Sequence, residues 1–173
     1  MFAANLSLYG RKHALLLLHL KNGTFYAVIV IDIMNWKNNL YPHLLPEDIC
    51  LWESFLLENS SKFIGFDYDV RVGSGRDPGP SYNSQLRRIG IDLSQRRIDC
   101  IGYQSKSIYI FEVTMSVGLK AIGQLLTYPL LYQRTYNPTL PLVPAFVCSE
   151  IQSDILPIIE SKGILYFVYN PAA

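Results

Sequence analysis

The sequence contains few of the residues that build disulfide frameworks or zinc sites. Its 173 residues include three cysteines and three histidines. None of them forms a Cys-x-x-Cys pair or a Cys/His spacing typical of a metal site. An odd number of widely separated cysteines is typical of free thiols in a reducing compartment. Zinc modules and disulfide-rich secreted scaffolds are therefore excluded as explanations of this chain.

Long apolar runs, nucleotide-binding loops and a strong net charge are also missing. The apolar runs are too short to span a bilayer, so we expect no membrane partner. The glycine-rich segment 73–81 lacks Gly-Lys-Ser/Thr, which excludes a P-loop. The formal net charge is only +1 and by itself indicates no nucleic-acid partner. We find no internal repeat and no low-complexity tract.

Enough apolar sequence is present for one substantial domain with a small extension. Half of the residues are hydrophobic and 13% are aromatic, which supports a packed core. We assign residues 1–45 to an extension with a connector, and residues 46–173 to the main domain. Asn22-Gly23 between two apolar runs predicts a β-hairpin in the extension. A signal peptide and a second start codon at Met34 are alternatives for this segment, although no clear cleavage site follows the first apolar run.

The main domain is predicted to be α/β. Pro46 opens a helix that ends at Asn59, because proline and acids suit a first helical turn. Later helices are predicted over 119–132 and 151–161. Alternating or buried patterns predict strands over 63–72, 89–93 with 97–102, 108–114, 143–148 and 164–169. The order αβββαβαβ indicates a mixed central sheet flanked by helices.

Two of these strands carry an acid inside an apolar sequence. Asp99 shares a strand face with Arg97 and Ile101, and Glu112 shares one with Ile110 and Thr114. A carboxylate removed from water needs a partner, and one divalent cation could serve both acids. Alone, each acid has an ordinary explanation, namely an ion pair between Asp99 and Arg96 or Arg97, and a solvent-facing Glu112 at the strand end.

The helix after the second strand carries a polar stripe. Lys120, Gln124, Tyr128 and Tyr132 lie four residues apart and therefore share one helix face. With Tyr136, the tyrosines could stack on nucleobases, although core packing is the simpler explanation. Lys120 alone is an ordinary solvated lysine.

Together these features resemble the PD-(D/E)XK nuclease superfamily. The matching residues are Asp99, Glu112-Val113-Thr114 and the Gln-x-x-x-Tyr element Gln124–Tyr128, which resembles the exonuclease and RecB-like branch. The resemblance covers about residues 46–169 and implies a restriction-endonuclease-like core. It also implies a Mg²⁺ or Mn²⁺ site formed by Asp99, Glu112 and the carbonyl of Val113. Glu53 or Glu47 on the preceding helix would add an outer acid.

The sequence departs from the family pattern at Thr114, where the family has a lysine. Threonine carries no charge, so we expect Lys120, one turn before Gln124, to supply the ammonium group instead. The leading hypothesis is a metal-dependent nuclease that acts on DNA in the cytoplasm. The alternative is a catalytically inactive scaffold or nucleic-acid-binding protein, for example a phage head or neck component in the virion, with homo-oligomers or phage structural proteins as partners.

A local basic patch supports a nucleic-acid partner despite the low net charge. Six arginines lie between residues 71 and 97 against two aspartates, a local excess of +4. We take four of them as candidate phosphate-binding residues: Arg76, Arg87, Arg88 and Arg97. A solvated surface loop is the competing explanation for this patch.

Overall fold

The computed structural model describes residues 3–9, 13–19, 28–32, 41 and 43–170, which fall into two compact units, 1–42 and 43–173. The first unit contains a three-stranded sheet of β1 (Ala3–Tyr9), β2 (His13–His19) and β3 (Val28–Asp32). Both strand pairs are antiparallel. The β2–β3 pair has the arrangement that a hairpin through Asn22-Gly23 requires, but that turn lies outside the described residues.

The second unit is built on a five-stranded mixed sheet. Its strands are β4 (Gly65–Val72), β5 (Arg96–Tyr103), β6 (Ile108–Val117), β7 (Leu142–Ile151) and β8 (Leu165–Val168), and they lie in that order. The pairs β4–β5 and β5–β6 are antiparallel, whereas β6–β7 and β7–β8 are parallel. The predicted class, a mixed sheet flanked by helices, is confirmed.

Four helices accompany this sheet. They are α1 (Pro46–Asn59, followed by the 3-10 turn Ser60–Lys62), α2 (Ser84–Ser94), α3 (Leu119–Tyr136) and α4 (Leu156–Ser161). None of the helices in the described part of the chain is both long and apolar enough to cross a membrane.

The predicted strand over 89–93 is wrong, because these residues belong to α2. Asn83 caps this helix, with its side-chain oxygen accepting a hydrogen bond from the Leu86 amide at 2.9 Å. Leu86, Ile89 and Leu93 recur at three- and four-residue intervals, which is helical spacing. The observed order in this unit is therefore αβαββαβαβ.

Three other predicted boundaries move. Helix α3 continues past 132 to Tyr136, with Pro129 inside it, and ends where Asn137 adopts a left-handed conformation with φ 47°. Strand β7 extends to Ile151, which pairs with Val117. Residue 151 therefore belongs to the strand and residues 153–155 form a turn, so α4 begins at Leu156 and is shorter than predicted.

Aromatic rings fix α1 against one face of the sheet. Trp52 is fully buried, and its ring centroid lies 5.0 Å from Phe55 and 5.2 Å from Phe111. On β6, Phe111 directly precedes Glu112. A second cluster, which includes Ala121 and Leu125 of α3, packs against Ile110 and Phe146. The strand that carries Glu112 is therefore held between α1 and α3.

Replacing Trp52 with alanine should destabilise this unit by about 3–5 kcal/mol, because the substitution leaves a large cavity among packed rings. The measurement is urea denaturation followed by circular dichroism. Leu57→Ala is the matched control on the same helix, since Leu57 is 88% exposed and should change stability by less than about 0.5 kcal/mol. Equal effects of the two substitutions would contradict the packing described here.

Candidate active site

The backbone around Asp99 lies at a gap in the sheet. On the β4 side, Tyr68 pairs with Cys100 and Val70 with Ile98, so the register skips Asp69 and Asp99. Asp69 has φ 55°, which is uncommon for a residue other than glycine and breaks the regular ladder. On the β6 side, the pairing ends at Cys100 and Phe111. Irregular backbone of this kind is often found where a sheet positions functional side chains.

The register places Asp99 and Glu112 side by side. Continuing the pairing of Cys100 with Phe111 by one residue brings Asp99 opposite Glu112. Directly opposite residues of an antiparallel pair project from the same face. The Asp99 side chain replaces the missing ladder contact, because its Oδ2 accepts a hydrogen bond from the Val113 amide at 2.9 Å. The strand register therefore places the Asp99 and Glu112 side chains on the same face of the sheet.

Glu112 is a buried acid that lacks a full set of hydrogen-bond partners among the described residues. It is only 6% exposed, and its Oε2 atom has no hydrogen-bond partner among the described residues. Burial raises the pKa of Glu112, and the neighbouring Asp99 charge raises it further. Burial likewise raises the pKa of Asp99. A buried acid beside a half-buried one, both with spare acceptor capacity, favours a cation between them.

A third acid, Asp48, was not predicted. It lies buried in the first turn of α1, and its charge raises the pKa of both Asp99 and Glu112. Its own pKa is raised to about 6, first by burial and then by Glu47, whereas backbone hydrogen bonds with Leu45 and Met115 lower it. Acids are common in the first turn of a helix because they interact favourably with the helix dipole, so the sequence does not single out Asp48.

Glu47 and Glu53 are the two acids predicted on α1, and Glu53 does not line the groove along the Lys120–Tyr128 stripe. It lines an open groove of ≈ 610 Å³ together with Leu56, Phe66 and Tyr68. Two turns of helix contain both Asp48 and Glu53, and helical periodicity places them on different faces. Asp48 is therefore the α1 acid whose charge acts on both Asp99 and Glu112.

The polar stripe of α3 completes the site. The Lys120 charge lowers the pKa of both Asp99 and Glu112, so this exposed lysine lies within electrostatic reach of the pair. Gln124 forms a hydrogen bond with Glu112, and its Nε2 donates to the Tyr128 hydroxyl at 3.0 Å. Burial raises the pKa of the Tyr128 phenol, and the Glu112 and Asp99 charges raise it further. The predicted stripe thus faces the two acids.

An open groove of ≈ 340 Å³ runs along this stripe. Its lining includes Arg96, Lys120, Gln124 and Tyr128. The two cations make it attractive to a phosphate group. Arg96 was not among the four candidate arginines, although its position three residues before Asp99 was a usable signal.

Two of the four candidate arginines are held by aspartates. Arg97 donates from Nη1 to Asp69 at 3.1 and 3.2 Å and also contacts His43. Arg87 forms a two-pronged ion pair with Asp77. Arg76 and Arg88 are exposed. The local excess of positive charge available to a ligand is therefore smaller than the sequence count indicates.

The donor set fits a divalent cation with a small protein shell. Within residues 43–170, no three His, Cys, Asp or Glu side chains are arranged to hold a metal ion together. An ion here would be held by two carboxylates, a backbone carbonyl and water, which is how Mg²⁺ is usually bound. The partnerless Glu112 Oε2 supports this assignment, and Asp48 would remain an outer acid.

The metal-free protein should lose stability as the pH rises from about 5 to 8. The folded-state pKa values of Asp48, Asp99 and Glu112 lie above ordinary carboxylate values near 4. The folded state therefore binds more protons than the unfolded state, and this stabilisation is lost as the acids ionise. Denaturant titrations in EDTA measure the effect. A profile as steep in Glu112→Gln as in the wild type would contradict the assignment.

Similarity to known proteins is confined to solved structures. No protein-family model matches the sequence, and no curated protein matches it. The structure is similar to a repair endonuclease from Pyrococcus abyssi, with 12% identity and a TM-score of 0.45, and to an EndoMS–dsDNA2 complex, with 13% identity and a TM-score of 0.44. The matches cover 98% and 99% of this chain but 66% of each of those chains. Similarity at this level does not assign an activity.

Proposed function

We propose that this chain is a metal-dependent nuclease that hydrolyses phosphodiester bonds in DNA. The observation that carries the proposal is the buried Glu112 carboxylate, which lies opposite Asp99 and has one oxygen without a hydrogen-bond partner among the described residues. Two adjacent carboxylates removed from water destabilise the folded protein unless a cation neutralises them. The motif order and the spacing that resemble the PD-(D/E)XK superfamily support the same function.

Each side chain then has a role that its position permits. Asp99, Glu112 and the Val113 carbonyl would hold Mg²⁺ or Mn²⁺, which polarises a phosphate and acidifies a water molecule when it is bound. Arg96 and Lys120 line the groove and would bind the phosphate, and Lys120 would also offset negative charge in the transition state. Gln124 orients Glu112 and Tyr128 through hydrogen bonds.

The test is cleavage by the purified full-length chain. Supercoiled plasmid, linear duplex, single-stranded DNA and RNA of matched sequence are incubated with Mg²⁺, Mn²⁺, Ca²⁺ or EDTA. We expect cleavage of DNA with Mg²⁺ or Mn²⁺, none in EDTA, and a lower rate on RNA. Isothermal titration should detect Mn²⁺ binding without any substrate. No cleavage of any DNA form with either metal would contradict the proposal.

Thr114 favours a second candidate, a protein that binds DNA without cleaving it. Its hydroxyl donates to the Ser116 carbonyl at 3.4 Å and offers no charge to the site. A chain that retains the fold as a DNA-binding module should show affinity that falls steeply with salt, without hydrolysis. A scaffold in a larger particle should show neither metal binding nor salt-dependent DNA affinity, and it should form stable oligomers.

Asp48→Asn should reduce metal-dependent cleavage about tenfold, whereas Glu53→Gln should leave it unchanged. The reason is that the Asp48 charge acts on both candidate ligands, Asp99 and Glu112. An acid outside the ligand shell typically changes metal affinity by about 10- to 100-fold. Initial rates over a range of Mn²⁺ concentrations separate weaker metal binding from slower chemistry. The reverse ranking of the two variants would restore Glu53 as the helix acid.

A further inference from the structure

A third groove, of ≈ 540 Å³, is lined by residues of β4, β5 and α3 and has a different chemistry. Four tyrosines line it, together with three charged residues of β4: Tyr68, Tyr103, Tyr132, Tyr136, Asp67, Asp69 and Arg71. Aromatic surface next to hydrogen-bond acceptors is the combination that binds unpaired nucleobases. The two aspartates outnumber the arginine, which disfavours a phosphate in this groove.

Tyr136 provides a fixed aromatic surface. Half of the residue is exposed, at 50%, and its ring packs against the buried Tyr132 with a centroid distance of 4.8 Å. Its hydroxyl donates to the Arg71 carbonyl at 2.9 Å, so the ring is held at both its side and its tip. A platform ordered before the ligand arrives loses little entropy on binding.

Asp67 provides acceptors at the same groove. Its Oδ2 accepts a hydrogen bond from the Tyr103 hydroxyl at 2.7 Å, and an ionised carboxylate has about four acceptor positions in total. Carboxylates on proteins accept hydrogen bonds from exocyclic amino groups such as N4 of cytosine. The groove therefore suits a base with an amino group better than thymine.

The groove adjoins the carboxylate pair. Asp69, which lines it, is the residue that the β4–β5 register places opposite Asp99. Arg97 bonds with Asp69 and so fixes this boundary between the groove and the site. A nucleotide whose phosphate lies near Asp99 and Glu112 could thus place a neighbouring base against Tyr136.

We propose that this groove is a nucleobase subsite for an unpaired base with an exocyclic amino group. The base stacks on Tyr136, and its amino group donates a hydrogen bond to the Asp67 carboxylate. The proposal deepens the proposed nuclease function, on which it rests for the adjacent phosphate. It specifies the substrate as a strand with at least one unpaired adenine, cytosine or guanine next to the cleaved bond.

Binding in EDTA tests the subsite without cleavage. Fluorescence anisotropy compares equal-length single strands of cytosine, adenine, thymine or abasic nucleotides. The wild type should bind the cytosine and adenine strands about 5- to 100-fold more tightly than the abasic strand. Tyr136→Ala should abolish that preference and leave abasic affinity unchanged, whereas Tyr136→Phe should retain it. Tyr82→Ala is the matched control, because Tyr82 is 52% exposed on a different segment.

Asp67→Ala removes the acceptor and should abolish the preference for cytosine and adenine over thymine while stacking persists. The subsite is wrong if the wild type binds abasic and base-containing strands equally, or if Tyr136→Ala and Tyr136→Phe behave alike. A chain that cleaves DNA but shows no base preference refutes the subsite and leaves the nuclease proposal intact. Base-dependent binding without cleavage under any metal refutes the nuclease proposal and supports the subsite.

Discussion

Asp99→Asn and Glu112→Gln are each expected to lower metal-dependent DNA cleavage by about 10³-fold or more. Each amide keeps the size of its carboxylate but removes the negative charge that would hold the cation. Loss of a cation that supplies several kcal/mol of transition-state stabilisation corresponds to a factor of this size. The measurements are kcat/KM on a labelled duplex and Mn²⁺ affinity by calorimetry, which should fall together.

The same substitutions should make the metal-free protein more stable at pH 8, not less. Glu112 is buried, and within the described part of the chain its Oε2 has no hydrogen-bond partner. An uncompensated buried polar group costs about 1–3 kcal/mol, and more when it is charged. Replacing it with glutamine removes the free-energy cost of protonating or ionising this buried acid at pH 8, so the free energy of unfolding in EDTA should increase. This opposite sign separates loss of a ligand from loss of the fold.

Glu160→Gln is the control for both measurements, because Glu160 is an exposed acid on α4. It should change neither cleavage nor stability. If Asp99→Asn or Glu112→Gln retains near-wild-type cleavage, the two acids do not hold a catalytic ion. Lower stability in EDTA at pH 8 would instead show that the carboxylates support the fold by contacts other than those described.

The part of the site on β5, β6 and α3 could be predicted because its geometry is local. Strand alternation and hairpin register fix which side chains share a face, so Asp99 and Glu112 could be paired from their spacing. The polar stripe on the helix follows from the four-residue spacing of Lys120, Gln124 and Tyr128. Each of these relations spans a few residues and needs no knowledge of distant packing.

The contributions from distant elements could not be predicted in the same way. Asp48 approaches the site because α1 packs on the sheet through Trp52 and Phe111, a contact between residues far apart in the chain. Nothing in the first turn of α1 distinguishes an acid that faces this site from one that faces solvent. The gap at Asp69 and Asp99 likewise depends on a positive φ that an aspartate seldom adopts.

The short apolar segment 86–93 shows a second reason for error. Its residues fit both a strand and one face of a helix, and only the Asn83 cap decides between them. The positive charge of the arginine patch was overestimated for a related reason, because a count of charged residues does not show which of them form ion pairs. Asp69 lies far from Arg97 in the chain, and no local pattern reveals that the sheet brings them together.

Lys120→Met should lower kcat of metal-dependent cleavage by about 10²-fold, with little change in Mn²⁺ affinity. Lys120 lies in the groove beside Gln124, and its charge lowers the pKa of both Asp99 and Glu112. Removing one charged group that stabilises the transition state typically costs a factor of about 10²–10³. Methionine keeps much of the length of the lysine, so packing at the start of α3 should persist.

A lysine placed at position 114 on β6, in the Lys120→Met variant, tests whether the reaction requires the positive charge. Thr114 lies two residues after Glu112 on the same strand face, where the PD-(D/E)XK pattern has a lysine. The double variant Thr114→Lys with Lys120→Met should therefore recover at least about tenfold of the lost rate, a gain of about 1.4 kcal/mol in transition-state stabilisation. Lys106→Met, at an exposed turn, is the control and should have no effect. If Lys120→Met cleaves like the wild type, the site does not use this lysine, because a charge required in the transition state cannot be removed without slowing the reaction.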